Sequence, residues 1–238
     1  MTRSVCVMQP RLLPHLGYFA LMRRVDTFVL FDSAQYVRRE WINRNRIREA
    51  GAKEGWRWLQ VPVAKAPRTT AIRAIEVAYD PPWQERLRRT LRHTYGQAPQ
   101  FDQVLPWVDP LWRRPRLLVD LLVPLLERFA AALGLAPEWL RASDLEGAVV
   151  PDDPQERVLA ICEQLGATTY WNLPGGRALY RPDAFRKAGI ALRFVPEIDE
   201  SALRRDFAEA SLLSILDIAM YHAPDKIRGM IERIHDGR

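Results

Sequence analysis

SVCVMQPRLLPHLGYFALMRRVDTFVLFD, residues 4–32, is the stretch that decides the fold. Val5 to Met8 is a short apolar run closed by Gln9-Pro10, and proline has no N–H to give to a ladder, so a buried strand ending at Gln9 is predicted. After a loop from Arg11 to His15, Leu16, Phe19 and Met22 recur at helical spacing up to Arg24. Thr27 to Phe31 is again β-branched and aromatic, and Asp32 closes it. Two strands joined by a helix favour a right-handed crossover, so this stretch predicts a parallel pair opening an α/β sheet.

Further along, Tyr36 to Arg48 is polar and aromatic without a clear period and reads as a loop, whereas Trp56 to Val63 alternates as a strand, with another candidate at Ala74 to Ala78. Pro81-Pro82 opens a helix from Trp83 to His93, because the missing amides fall where a helix has unpaired donors. Prolines and aromatics mark Gln97 to Pro115 as a loop. Leu117 to Leu133 is a helix that Pro124 should bend or restart. Pro137 to Leu140 reads as a turn closed by Ser143 or Asp144. Asp153-Pro154 caps a helix that Gly166 stops. Strands at Thr168 to Trp171 and Ile190 to Phe194 flank a helix from Arg181 to Lys187, and helices at Ser211 to Met220 and Pro224 to Ile234 follow. The expected fold is therefore α/β, an open and mostly parallel sheet in one domain over residues 1–238, with an inserted or appended helical region near 82–165.

The chain has 238 residues, 48% of them hydrophobic and 27% charged, which excludes a disordered chain. Cys6 and Cys162 have no partner at a metal-ligand or redox spacing, so a reducing compartment is expected and no metal site. No signal peptide pattern is present, and the most apolar stretch, Leu117 to Leu135, is broken by Asp120, Pro124, Glu127 and Arg128. A cytoplasmic protein without a membrane span is expected. The net charge of +6 raises nucleic acid as a partner. The arginines Arg86, Arg88, Arg89 and Arg92 gather on one helix, but Glu85 and neighbouring loop acids dilute the stripe.

Four clusters could carry chemistry. Glu40-Trp41-Ile42-Asn43-Arg44-Asn45-Arg46 is too polar for an apolar core: its amides and guanidiniums suit carboxylate, phosphate or sugar oxygens, and Trp41 can wall a pocket. Asn172 and the Gly175-Gly176 turn follow a strand, where backbone amides can approach an anion. His15 and Gly17 follow the first strand as two positions of a His-x-Gly-His motif, whose imidazoles hold ATP phosphates in nucleotidylyltransferases; the fourth position is Tyr18. On that reading the sheet is Rossmann-like, of the nucleotidylyltransferase type or a relative. Asp32 and Gln35 would lie at the carboxyl edge of the sheet beside Gln9, where open α/β sheets bind ligands. No HExxH, P-loop or GxGxxG is present.

Gln9-Pro10, Leu13-Pro14, Gly17-Tyr18-Phe19, Asp26, Phe28-Val29, Asp32, Gln35, Trp41 and Asn43-Arg44-Asn45-Arg46-Ile47 together resemble the opening signature of the WbqC-like family. Later blocks follow in the family's order: Val61-Pro62-Val63, Tyr95 with Ala98-Pro99, Leu165-Gly166-Ala167, Pro174-Gly175-Gly176, Ala188-Gly189-Ile190 and Ser214-Ile215-Leu216-Asp217. The resemblance implies a role in O-antigen, capsule or natural-product biosynthesis, with transfer of an acyl or aminoacyl group, glycyl for instance, to an amine on a nucleotide-linked sugar or carrier-bound substrate. It also marks two departures, Met8 where the family usually has His and His15 where it usually has an aromatic.

The expected function is thus group transfer that forms an amide, which requires a base and donors facing an oxyanion. His15 or Asp32 would be the base, Asn43, Asn45 or the Gly175-Gly176 amides the donors, and Arg44 and Arg46 a clamp on a phosphate or pantetheine arm. No cofactor is required, although coenzyme A or a carrier thioester could deliver the acyl group. A non-catalytic module binding a small molecule or a carrier protein is the alternative, and an ATP-dependent ligase or nucleotidylyltransferase-like enzyme a second one.

Overall fold

The computed structural model describes residues 2–49, 51–80, 82–145, 147, 151–197 and 213–236. Strand β1 (Ser4–Met8), helix α1 (Leu16–Met22) and strand β2 (Thr27–Leu30) form the expected crossover, with Val5 opposite Thr27 and Met8 opposite Leu30 in parallel register. A hairpin of β3 (Arg44–Arg48) and β4 (Trp56–Gln60) follows. Helices α2 (Pro82–Tyr95), α3 (Phe101–Val104) and α4 (Val119–Ala132) lead to β5 (Glu138–Arg141), α5 (Ala142–Leu145) and α6 (Pro154–Gln164). Then come β6 (Thr169–Asn172), α7 (Pro182–Lys187), β7 (Ala191–Phe194), α8 (Ile215–Tyr221) and α9 (Pro224–Asp236).

The main sheet has the order β5-β2-β1-β6-β7, with every neighbouring pair parallel. Side chains alternate across a strand, so Cys6, Met8, Phe28 and Leu30 enter the larger core with α1, α4, α8 and α9, while Val5, Val7 and Val29 face α6 and α7. Burial on both faces is why these strands read as continuous apolar runs. Cys6 and Cys162 are buried free thiols in these cores, and burial pushes Cys162 up to about 12, which keeps it an inert packing residue. Helix α6 is capped as its sequence predicts, the Asp153 carboxylate accepting from the amides of Gln155 and Glu156.

Five expectations are corrected. Arg44 to Arg48 is a strand and not a loop: its period is two, with Asn45 and Ile47 inward, and amides in place of apolar residues hid the alternation. Pro137 to Leu140 is not a turn: Glu138 to Leu140 belong to edge strand β5, which pairs with β2. Gln97 to Pro115 holds α3 and a 3-10 helix over Leu105–Trp112, a conformation that accommodates its prolines. Helix α4 runs through Pro124 as one element and does not restart there, its burial outweighing the lost hydrogen bond. Ala74 to Ala78 forms only isolated bridges, Glu76 with Leu117 and Val77 with Val63. The expected helix start at Ser211 lies outside the described residues, and α8 starts after Ser214, whose Oγ accepts from the Asp217 amide.

The hairpin is fixed against the loop between β1 and α1. Leu12 N–H donates to the Ile42 carbonyl (2.9 Å), Ser214 N–H to Arg46 (3.0 Å) and Ile215 N–H to Pro14 (3.0 Å), so the loop is held between β3 and α8. Among the described residues no helix is long and apolar enough to cross a membrane.

Candidate functional site

The strand order reverses at β1: β2 and β5 lie to one side, β6 and β7 to the other. In open α/β sheets that reversal leaves a crevice outside the carboxyl ends of the two central strands, here β1 and β6. The loops that meet it are Gln9 to His15 and Asn172 to Leu179.

His15 caps α1, its Nδ1 accepting from the Gly17 amide at 3.1 Å. Burial, and then the charge of neighbouring Arg11, push the imidazole down to about 4. The ring is therefore neutral at pH 7. With Nδ1 engaged as an acceptor, its proton resides on Nε2, so His15 presents a donor there and not a basic lone pair. Arg11, two residues beyond Gln9, carries a buried Nε with no hydrogen-bond partner. Gln9 supplies the carbonyl that accepts from the Tyr18 hydroxyl at 2.9 Å. Tyr18 is fully buried. Its hydroxyl is thus engaged inside the core at the position where a His-x-Gly-His motif needs a second imidazole.

On the β6 side, Asn172 is buried and donates to the hydroxyls of Tyr170 (3.0 Å) and Tyr180 (2.8 Å). Gly176 packs against it: a Cβ there would meet the Asn172 side chain at 3.2 Å, whereas Gly175 has open space. The Gly176 amide donates to the Leu173 carbonyl (2.9 Å), so it belongs to the turn and is not a free oxyanion donor.

Asp32 stands at the end of β2, fully buried, accepting from the Ser143 amide (3.0 Å) and from the Ser143 hydroxyl (2.9 Å). With both oxygens engaged it ties β2 to the start of α5. Gln35 is exposed and donates to the Arg68 carbonyl (2.6 Å).

The Asn-Arg-Asn-Arg block divides by strand alternation. Asn43 accepts from the Tyr36 hydroxyl (2.9 Å) and donates to the Val61 carbonyl (2.7 Å). Asn45 donates to the carbonyls of Leu12 (3.1 Å) and Leu13 (2.7 Å). Both Asn45 amide hydrogens and one of Asn43 are thus taken up by backbone. Arg44 and Arg46 project from the opposite face. The Arg44 guanidinium lies 4.0 Å from the Trp58 ring centre, and Arg46 lies 4.2 Å from Trp56, 5.2 Å from Trp41 and 5.4 Å from Trp58. The two clamp candidates therefore stand apart from His15, across the strand.

Arg48 continues the same face and meets a buried carboxylate that sequence reading passed over. Its Nη2 bonds Asp217 Oδ2 at 3.0 Å, its amide and Nε reach Oδ1 at 3.2 and 3.3 Å, and the Tyr95 hydroxyl donates to Oδ1 at 2.7 Å. Burial works against the Arg48 charge, but the Asp217 hydrogen bond and charge outweigh it and leave the guanidinium above its ordinary value. Burial, reinforced by Asp217, holds Tyr95 far above the usual phenol range, so it stays a donor. The signals were present as Arg at every second residue from 44 to 48 and Trp56-x-Trp58. Among the described residues no group of three or more His, Cys, Asp or Glu side chains could hold a metal.

The chain is similar to Uncharacterized protein Rv1507c of Mycobacterium tuberculosis, 28% identical over 232 residues that span 95% of this chain and 98% of that protein. No solved structure matches it at a significant level. The WbqC-like protein family matches from residue 9 to residue 229, a span that takes in the carboxyl-edge loops, the hairpin and Asp217, and the chain belongs to that family.

Proposed function

We propose that this protein transfers an acyl or aminoacyl group from a thioester donor to an amine on a nucleotide-linked sugar or carrier-bound acceptor, in surface polysaccharide or natural-product biosynthesis in the cytoplasm. The amine attacks the thioester carbonyl, the oxygen becomes an oxyanion, and its collapse breaks the C–S bond and expels the thiolate, which takes up the proton lost by the amine nitrogen. What supports this reading is the pair at the carboxyl end of β1: His15, whose Nδ1 accepts from the Gly17 amide and whose burial lowers its pKa, so that Nε2 is left as a donor, beside Arg11, whose Nε has no partner. Two donors there suit a developing oxyanion better than they suit proton abstraction. Asp32 acts in this reading by fixing the β2 and α5 ends. Coenzyme A or a carrier protein would bring the thioester.

The purified protein, a panel of acyl and aminoacyl thioesters and an amino-sugar nucleotide, followed by mass spectrometry, test the proposal. A mass gain that His15→Ala and Arg11→Ala abolish supports transfer. Thermal stabilisation by the nucleotide sugar with no mass gain from any donor would instead establish a binding module.

A further inference from the structure

We propose that the outer face of the β3–β4 hairpin is a second ligand site, which binds the phosphoryl group of a phosphorylated small molecule between Arg44 and Arg46. This site does not depend on the transferase reading. Arg44 and Arg46 sit two residues apart on one strand face, roughly 7 Å along the chain, and the cross-strand neighbours are Gln60 and Trp58. Neither guanidinium has an acidic partner among the described residues: Arg44 donates to the Arg39 carbonyl, and Arg46 touches only the three indoles. Each also carries a buried Nε with no hydrogen-bond partner. Two uncompensated cations are thus held in place by stacking, which leaves their N–H edges as the groups that remain to be satisfied. Stacking fixes the planar fork in advance, so little side-chain entropy is lost when an oxyanion docks.

The charge count selects the ligand. A carboxylate brings one negative charge, whereas a phosphoryl group brings about −1.5 to −2 and three acceptor oxygens, which matches two guanidiniums. The row of free cations stops after two, because the third member of the face, Arg48, is neutralised by buried Asp217. A polyanion would need the row to continue. Beyond Arg48 a cavity of about 480 Å³ opens, lined by Glu49, His93, Thr94 and Tyr221. That is within the range of small-molecule sites, and Arg48, stacked 4.1 Å from the Tyr221 ring centre, belongs to both the cavity and the arginine face. The phosphoryl group lies on Arg44 and Arg46, and the rest of the molecule extends toward that cavity.

Titration of the full chain with inorganic pyrophosphate, ADP and single-stranded oligonucleotides of two lengths at constant ionic strength, read by indole fluorescence and calorimetry, tests this. The expected result is saturable binding of pyrophosphate and tighter binding of ADP. Arg46→Gln and Arg44→Gln should each weaken both by roughly tenfold, and Arg46→Lys should retain part of the affinity. His15→Ala should leave it unchanged, which separates this site from the transferase reading. Absence of pyrophosphate and ADP binding, or binding that Arg44→Gln and Arg46→Gln leave intact while circular dichroism shows both folded, would overturn the proposal. So would oligonucleotide binding that strengthens with length and exceeds that of ADP.

Discussion

Asn45 Nδ2 donates to the Leu13 carbonyl at 2.7 Å, and Leu13 occupies the left-handed region at φ 46°. A branched side chain adopts that conformation only when its surroundings impose it. Asn45 supplies the constraint from a neighbouring strand, and the same amide reaches Leu12 at 3.1 Å. The loop that carries Arg11 and His15 is therefore shaped by a residue more than thirty positions away in sequence.

Asn45→Ala should destabilise the fold by about 1–3 kcal/mol, because two buried carbonyls lose their donor. Chemical denaturation measures the loss. Backbone amide exchange should accelerate at Leu12 and Leu13 more than in β1 itself.

Arg48 and Asp217 predict a larger effect. Removing Arg48 leaves Asp217, which is fully buried, with its charge uncompensated, whereas removing Asp217 leaves a guanidinium that is 29% exposed. Arg48→Ala should cost about 3–5 kcal/mol and Asp217→Ala less. Tyr95→Phe deletes only one of the four hydrogen bonds to the carboxylate and should cost less than Arg48→Ala, about 1.5–3 kcal/mol. Urea unfolding of the three variants gives the ranking.

The imidazole of His15 fixes a pH dependence. Its folded value of about 4 lies below the ordinary 6.5. The unfolded chain therefore binds the proton more readily, and stability is full above pH 6.5 and declines as pH falls toward about 4. His222 is lowered as well, by burial and then by Lys226 and Arg48, and adds a decline of the same sign. His15→Gln should flatten the fall in unfolding free energy between pH 7 and pH 5. Nitrogen-15 spectra should show Nε2 protonated and no titration of His15 between pH 5 and 8.

The adjacent glycines of the β6 loop should respond differently. Gly176→Ala places a Cβ 3.2 Å from the Asn172 side chain, which is held by the hydroxyls of Tyr170 and Tyr180. It should cost about 1–3 kcal/mol through overpacking, while Gly175→Ala, with open space, should be close to neutral. Thermal unfolding of the two variants compares them.

The βαβ opening was legible because buried parallel strands are written in apolar residues, as Val5 to Met8 and Thr27 to Leu30 are. Edge strand β5 was not, since its Glu138 and half-buried Trp139 do not form an apolar run and Pro137 points to a turn. The hairpin strand was hidden for a related reason: its inward positions include Asn45, whose partners are backbone carbonyls far away in sequence. The same property divides the residues of the block. Asparagines and arginines adjacent in sequence looked like one binding loop, but strand alternation sends the asparagines to the backbone and the arginines to the indoles. Asp32 closes β2 as its sequence position suggests, yet its bond to Ser143 arises only from tertiary contact. Arg11 went unnoticed because nothing in a lone arginine reveals that its Nε will be buried without a partner.

A crystal structure of the protein with a non-hydrolysable acyl coenzyme A analogue and an amino-sugar nucleotide tests the central claim most directly. The acyl carbonyl oxygen should lie within hydrogen-bond distance of His15 Nε2 and the Arg11 guanidinium, outside the carboxyl ends of β1 and β6. A carbonyl bound elsewhere, or a His15 ring turned so that Nε2 faces away from it, would contradict the account.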